Sequence, residues 1–229
     1  MDLLQAADEM QRFGSGDLRR RIAAIEQSLE GMQLPSLAGH LDELSISSST
    51  LEASLEIKRV AGQVNVLVHT VGILLSLPGI LEPDETIQYV SLGAGNTGRP
   101  FDLETDRRVG EFKFVTWRGA DTIRQNQLFK DIYLLEAAET TKRKQVFVVG
   151  DAYPLKFLRS ERSLRSVMSR NLKLWADFQA RFGSRFRTVR DYYEVHGASV
   201  ELVDLDRLFP GRFVELSEIL DPSEGAAAS

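Results

Sequence analysis

Cysteine is absent from the 229 residues. Disulfides, thiolate metal sites and cysteine nucleophiles are therefore excluded, and the composition suits a reducing cytoplasm. Histidine is scarce: only His40, His69 and His196 occur. No two of them have metal-ligand spacing, so each reads as structural, and no Ser-His-Asp arrangement can be assembled. A secretory signal needs a basic start and an apolar run, whereas Met1 to Met10 carries Asp2, Asp8 and Glu9. The most apolar stretch, Val64 to Leu77, falls short of the roughly 20 residues that span a bilayer, and it contains Asn65 and His69. It reads as the buried half of a helix in a cytoplasmic protein, with no membrane expected.

Positive charge is in deficit overall, with 28 Lys and Arg against 33 Asp and Glu. The distribution is uneven. Lys156 to Arg190 holds ten basic residues and only two acids, Glu161 and Asp177. A solvated helix face would explain that charge pattern, and so would a surface that contacts phosphates. Hydrophobic residues make up 43% and charged residues 27%, enough apolar material for a soluble α/β domain with its own core.

Along the chain, residues 1–47 read as a helical extension, with two short helices split by Gly14-Ser15-Gly16. Asp17 is the expected N-cap of the second and Gly31 its end. Leu34-Pro35 and Ser45 to Ser49 read as loops. A long helix is expected from Thr50, its cap, to Leu77, with Leu51, Leu55, Val60, Val64, Leu67 and Val71 at helical spacing and Pro78-Gly79 as the stop. Strands follow at Thr86 to Leu92, Phe101 to Thr105 and Arg108 to Trp117. An amphipathic helix, Gln125 to Thr140, leads to a continuous apolar strand, Gln145 to Val149, of the kind buried in parallel sheets. The order is helix, strand, strand, strand, helix, strand over 48–152. It describes a mixed sheet with helices on its faces. One or two basic helices (Lys156 to Phe182) and a strand (Ser199 to Leu205) complete the domain over 153–221, before a loose tail at 222–229.

Gly93 to Gly98 spells G-x-G-x-x-G. A dinucleotide site would need a helix next, but Arg99-Pro100 and a strand follow, so a tight connection is expected, with Asn96 and Arg99 near the rim of any site.

The chemistry lies in Phe101 to Phe114. Side chains alternate on a strand, which puts Glu111 and Lys113 on one face. Folding about Asp106-Arg107 brings Asp102 opposite Glu111, with β-carbons roughly 5 Å apart. Two carboxylates so close repel unless a cation lies between them, and an all-oxygen set suits Mg²⁺. Lys113 can orient or help deprotonate a water, or offset phosphate charge.

This stretch resembles the PD-(D/E)XK, or restriction-endonuclease-like, nuclease superfamily. Asp102 matches the first acid, Glu111 the second and Lys113 the lysine. Phe101 stands where the motif's name has Pro. The family's αβββαβ core matches the order read over Thr50 to Gly150. The resemblance implies a metal-dependent nuclease acting on DNA through Mg²⁺, for which Mn²⁺ can substitute, in defence or repair. A nuclease-like module that binds nucleic acid or protein without cutting is the alternative. The resemblance also implies a glutamate on the first helix, Glu56 in preference to Glu52, and a polar residue on the second, Gln127, with Gln125 and Lys130 nearby. Arg99, Arg118, Arg124 and Lys130 are candidate DNA contacts. So are Arg159, Arg162 and Arg165, whose spacing of three suggests one helix face. Trp117 reads as core or as a base-stacking residue. Cutting a duplex needs two sites, which points to a homodimer, and the N-terminal helices could serve that interface or a partner protein.

Overall fold

The computed structural model describes residues 1–14, 18–29, 31–93, 100–115, 117, 121–211 and 213. It divides into two compact units, Met1–Leu67 and Val68–Ser229.

The first unit contains α1 (Leu3–Gly14), α2 (Leu18–Leu29), α3 (Leu34–Glu43) and the first half of α4 (Ser48–Ile80). The helix α3 replaces the loop expected at Leu34-Pro35. Pro35 lies in its first turn, where backbone N–H groups have no intrahelical acceptor and proline costs nothing. Gly31 follows α2 with φ of 74°, the left-handed conformation that ends helices. Asp17, the expected cap, lies outside the described residues. Ser48 and Ser49 open α4 instead of forming a loop. Thr50 sits inside the first turn, and its hydroxyl and that of Ser49 each donate to Glu9 Oε1 on α1 at 3.1 Å. Ala6 of α1 and Ala53 of α4 are both fully buried.

The helix α4 runs three residues past Leu77, its expected end. Pro78 removes one backbone donor, but Leu81 N–H still bonds Leu77 O at 3.0 Å and closes the last turn. Val64 to Leu77 is not uniformly buried either. Ile73, Ser76, Leu77 and Ile80 are buried, while Val64, Leu67, Val71, Leu74 and Leu75 are exposed. With a mean hydropathy of 1.7 in its most apolar window, α4 is long and apolar enough to cross a bilayer, a test that core helices of soluble proteins also pass. The whole helix, 33 residues, is thus longer than the apolar stretch Val64 to Leu77 that falls short of a span.

The second unit is built on a mixed five-stranded sheet in the order β1 (Ile87–Val90), β2 (Leu103–Thr105), β3 (Arg108–Lys113), β4 (Arg143–Val148), β5 (Glu201–Asp204). The first three strands form an antiparallel meander, and β3, β4 and β5 are parallel. Helix α5 (Thr122–Ala137) makes the crossover from β3 to β4. Asp121 caps it, accepting from Ile123 N–H and Arg124 N–H at 3.0 Å. After β4 come α6 (Ala152–Leu158), α7 (Leu164–Met168), α8 (Leu172–Phe182) and α9 (Val189–Val195), then β5 and α10 (Leu205–Leu208). The expected one or two basic helices are thus three, followed by a fourth.

Helices cover both faces of the sheet. On one face, Ile73, Leu77 and Ile80 of α4 pack with Leu103, Phe112, Phe114 and Phe147. On the other, Leu128, Ile132 and Leu135 of α5 and residues of α6 to α9 pack on Val109, Val146 and Val148. The run Val146, Phe147, Val148 is buried throughout because a central parallel strand is covered on both sides. Gly72 lets α4 lie on the sheet: a Cβ there would come within 2.7 Å of the Phe114 ring.

The lower edge is held by charge. Glu85, whose side chain is wholly buried, bonds Arg108 Nε at 2.6 Å, and Arg108 Nη1 donates to Gln145 at 3.1 Å. Burial opposes ionisation of Glu85, but Arg108 and the Thr105 hydroxyl outweigh it and hold the carboxyl at about 2. That is below its unfolded value, so the pair stabilises the fold above about pH 4.5 and the contribution disappears as pH falls towards 2. Arg108→Met, which strands the buried carboxylate, is expected to cost about 3–5 kcal/mol by urea denaturation at pH 7. The deficit should shrink in melts at pH 3. Gly72→Val is expected to cost about 1–3 kcal/mol through overpacking against Phe114, read as a lower urea midpoint with an unchanged slope.

Candidate active site

The pairing of β2 with β3 sets the site. Leu103 lies opposite Gly110 and Glu104 opposite Val109, so Asp102, one residue ahead of β2, faces Glu111 as the sequence register requires. Asp102 Oδ2 accepts the Phe112 N–H at 3.0 Å, and its backbone carbonyl accepts from Ser91 N–H at 2.7 Å. The aspartate is therefore fixed from both sides. Its Oδ1 lies 3.5 Å from His69 Nε2 on α4.

Glu111 and Lys113 share the face of β3 that looks towards α5, while Phe112 and Phe114 enter the opposite core. Lys113 Nζ lies 2.8 Å from Glu111 Oε1 and 2.9 Å from Asp131 Oδ2, an α5 side chain that is buried. The strand ends at Lys113, not at Trp117. The chain bends at Val115, which is exposed, while Phe114 joins the α4 side and Trp117 the α5 side that alternation assigns it, its ring 6.2 Å from that of Phe157. Trp117 is thus core, 8% exposed.

No protein-family model, curated protein or solved structure matches this chain.

Three carboxylates, Asp102, Glu111 and Asp131, act on one another around one ammonium. Burial pushes the Glu111 carboxyl up to about 7; Lys113 pulls it back, and the charges of Asp131 and Asp102 add to the rise. Asp131 is raised too, by burial, with Lys113 opposing. Burial disfavours the Lys113 charge, but Asp131 and Glu111 more than offset this, and the amine is held protonated well above its ordinary range. Among the described residues no three His, Asp or Glu side chains are arranged, as they stand, to hold a metal ion.

The remaining candidates scatter. Glu56 lies in the first unit and pairs with Arg59 at 2.5 Å. Gln127 is exposed, one turn before Asp131 on α5. Gln125 accepts from Arg162. Arg124 pairs with its helix cap, Asp121, at 3.4 Å, and Lys130 is exposed. Arg159, Arg162 and Arg165 do not share a helix. Arg159 caps the end of α6, Arg162 lies in the connection and Arg165 is on α7. Asn96, Arg99 and Arg118 lie outside the described residues.

Two residues at the site escaped the sequence reading, His69 and Asp131. Both left a signal. His69 interrupts an apolar run, and Asp131 sits among Leu128, Ile132 and Leu135 on the apolar side of its helix, where an unpaired acid is costly.

Because the folded protein holds the Glu111 proton more tightly than the unfolded chain does, its ionisation costs stability. The penalty grows as pH rises from about 4.5 to about 7 and is complete above that. Without divalent cations, Glu111→Gln is therefore expected to gain melting temperature relative to wild type on going from pH 5 to pH 8. Parallel pH dependence of the two proteins would contradict the assignment.

Proposed function

We propose that this protein is a metal-dependent nuclease of restriction-endonuclease-like fold that hydrolyses phosphodiester bonds of DNA. The observation that carries the proposal is the juxtaposition of Asp102 with Glu111-Phe112-Lys113 across β2 and β3. It is supported by the element order α4, β1, β2, β3, α5, β4 around it.

The donor chemistry fits a divalent cation. Glu111 has one oxygen on Lys113, which leaves it a second, and Asp102 has one on the Phe112 amide and the other 3.5 Å from His69 Nε2. Carboxylate oxygens suit Mg²⁺, and the neighbouring His69 nitrogen is a ligand type that Mn²⁺ also accepts. Burial raises Glu111 and the charges of Asp131 and Asp102 add to the rise, a penalty that a cation would relieve. Such an ion supplies Lewis-acid polarisation of a phosphoryl oxygen.

The chain's own residues divide the remaining work. Phe112 N–H orients Asp102. Lys113, held protonated, is a donor and not a base, so its part is to offset charge that develops on the phosphate as water attacks phosphorus and the P–O bond to the sugar breaks. Exposed Lys130, Arg159 and Arg165 provide sequence-independent contacts for the nucleic-acid backbone. A cytoplasmic role in defence or repair, with two copies cutting a duplex, would suit this chemistry.

A second reading, a nuclease-like module that binds without cutting, is favoured by one observation: Lys113 is already engaged by both Glu111 and Asp131.

The deciding experiment uses supercoiled plasmid and single-stranded DNA in Mg²⁺, in Mn²⁺ and in EDTA. Cleavage is expected only with metal, and Lys113→Ala should lower kcat by about 100-fold or more, the cost of losing one group that stabilises transition-state charge. Cleavage that survives Lys113→Ala would overturn the proposal. Salt-sensitive DNA binding without cleavage of either substrate would favour the second reading.

A further inference from the structure

Asp131 is the site's least explained residue. Its α5 neighbours Leu128, Ile132 and Leu135 are core, and only 7% of Asp131 is exposed. Its Oδ2 is paired with Lys113 Nζ at 2.9 Å and meets no other donor among the described residues. A buried carboxylate kept for stability alone is poor use of a core position, because an apolar residue of similar volume is commonly as good or better. The lysine shows what the aspartate does. A flexible four-carbon stem carries Nζ, and that stem rises from a strand end beyond which the chain leaves the sheet. Glu111 offers one anchor on the same strand, and Asp131 offers the second from the facing helix. Two anchors on different elements define the ammonium position where one would leave it to swing.

We infer that Asp131 is the positioning residue of Lys113: it clamps the ammonium from α5 so that Nζ stays beside Glu111, at the point where a scissile phosphate would lie. The catalytic consequence rests on the nuclease reading; the clamp itself does not. The geometry further ties the crossover helix to the chemistry, since any shift of α5 along β3 moves the anchor of the lysine.

The test uses the full chain and the isosteric Asp131→Asn, with two readouts. The first is the rate at which Lys113 is acetylated by a water-soluble N-hydroxysuccinimide ester, followed by peptide mass spectrometry. Lys142 and Lys144, which bond Glu104 and the Glu136 carbonyl, serve as internal references. The second is plasmid nicking in Mn²⁺. Asp131→Asn is expected to accelerate acetylation of Lys113 several-fold while the references hold. It should lower kcat by up to about 100-fold with KM little changed, the scale of misplacing one catalytic group by an ångström. A purely structural role would move the reference lysines, or KM, as well. Unchanged acetylation of Lys113, or an unchanged kcat, would overturn the inference. Faster acetylation with no nicking by wild type would leave the clamp standing and sink the nuclease reading instead. If Asp131→Asn does not fold, Lys113→Met and Lys113→Met/Asp131→Leu decide. A melting temperature recovered in the double variant means that Asp131 serves the lysine, and no recovery means that it does not.

Discussion

Everything at the site depends on the register between β2 and β3. That register is set at the turn of Asp106 and Arg107, which is not a pair that favours a tight hairpin by itself. The surroundings supply what the turn residues lack. Thr105 Oγ1 accepts from Arg107 N–H at 3.0 Å and from Arg108 N–H at 2.8 Å. Asp106 exchanges hydrogen bonds with Thr86: its Oδ1 accepts from Thr86 N–H at 2.9 Å, and its N–H donates to Thr86 O at 3.1 Å. Arg108 is anchored on Glu85 and Gln145. A slip of one residue would send Glu111 and Lys113 into the Phe112 core and strand two charges there, so the phenylalanines and the turn enforce the same pairing.

Once the register is set, electrostatics controls the site. One ammonium is surrounded by more carboxylate than it can neutralise, in a place where water screens little. Burial pushes Glu111 up to about 7, with the charges of Asp131 and Asp102 adding to the rise, while Asp131 and Glu111 keep Lys113 charged despite its burial. The imbalance separates this cluster from the Glu85–Arg108 pair at the other end of β3. There, charges match, the carboxyl is depressed, and the pair works for stability. The same strand thus carries a balanced ion pair at its start and an unbalanced cluster at its end, and unbalanced clusters are where function is to be sought.

Some of this was legible in the sequence. The period-two pattern around Phe112 and Phe114 placed Glu111 and Lys113 on one face, and counting from the turn placed Asp102 opposite Glu111. The unbroken run Val146 to Val149 announced a central parallel strand. Other features were not. The proline at Pro35 read as a loop because a first-turn proline and a loop proline look alike along a chain. Arg159, Arg162 and Arg165 are evenly spaced, yet a helix end and a connection separate them. Strand β3 was overextended because the alternation of Phe114 and Trp117 between the two cores persists past the strand end, and no residue type marks the bend at Val115.

Local pattern by itself determined the element order from α4 to β4, the faces of β3 and the juxtaposition of Asp102 with Glu111 and Lys113. These depend on spacing and side-chain period, which the chain carries within a few residues. Only the tertiary structure decided that the acid beside Lys113 is Asp131 and that the first-helix residue facing Asp102 is His69. Both contacts join elements separated by a crossover or a long loop. Which turn of a helix meets which residue of a strand is settled by how Leu128, Ile132 and Leu135, or Ile73 and Leu77, seat in the core, and not by any pattern nearby in sequence.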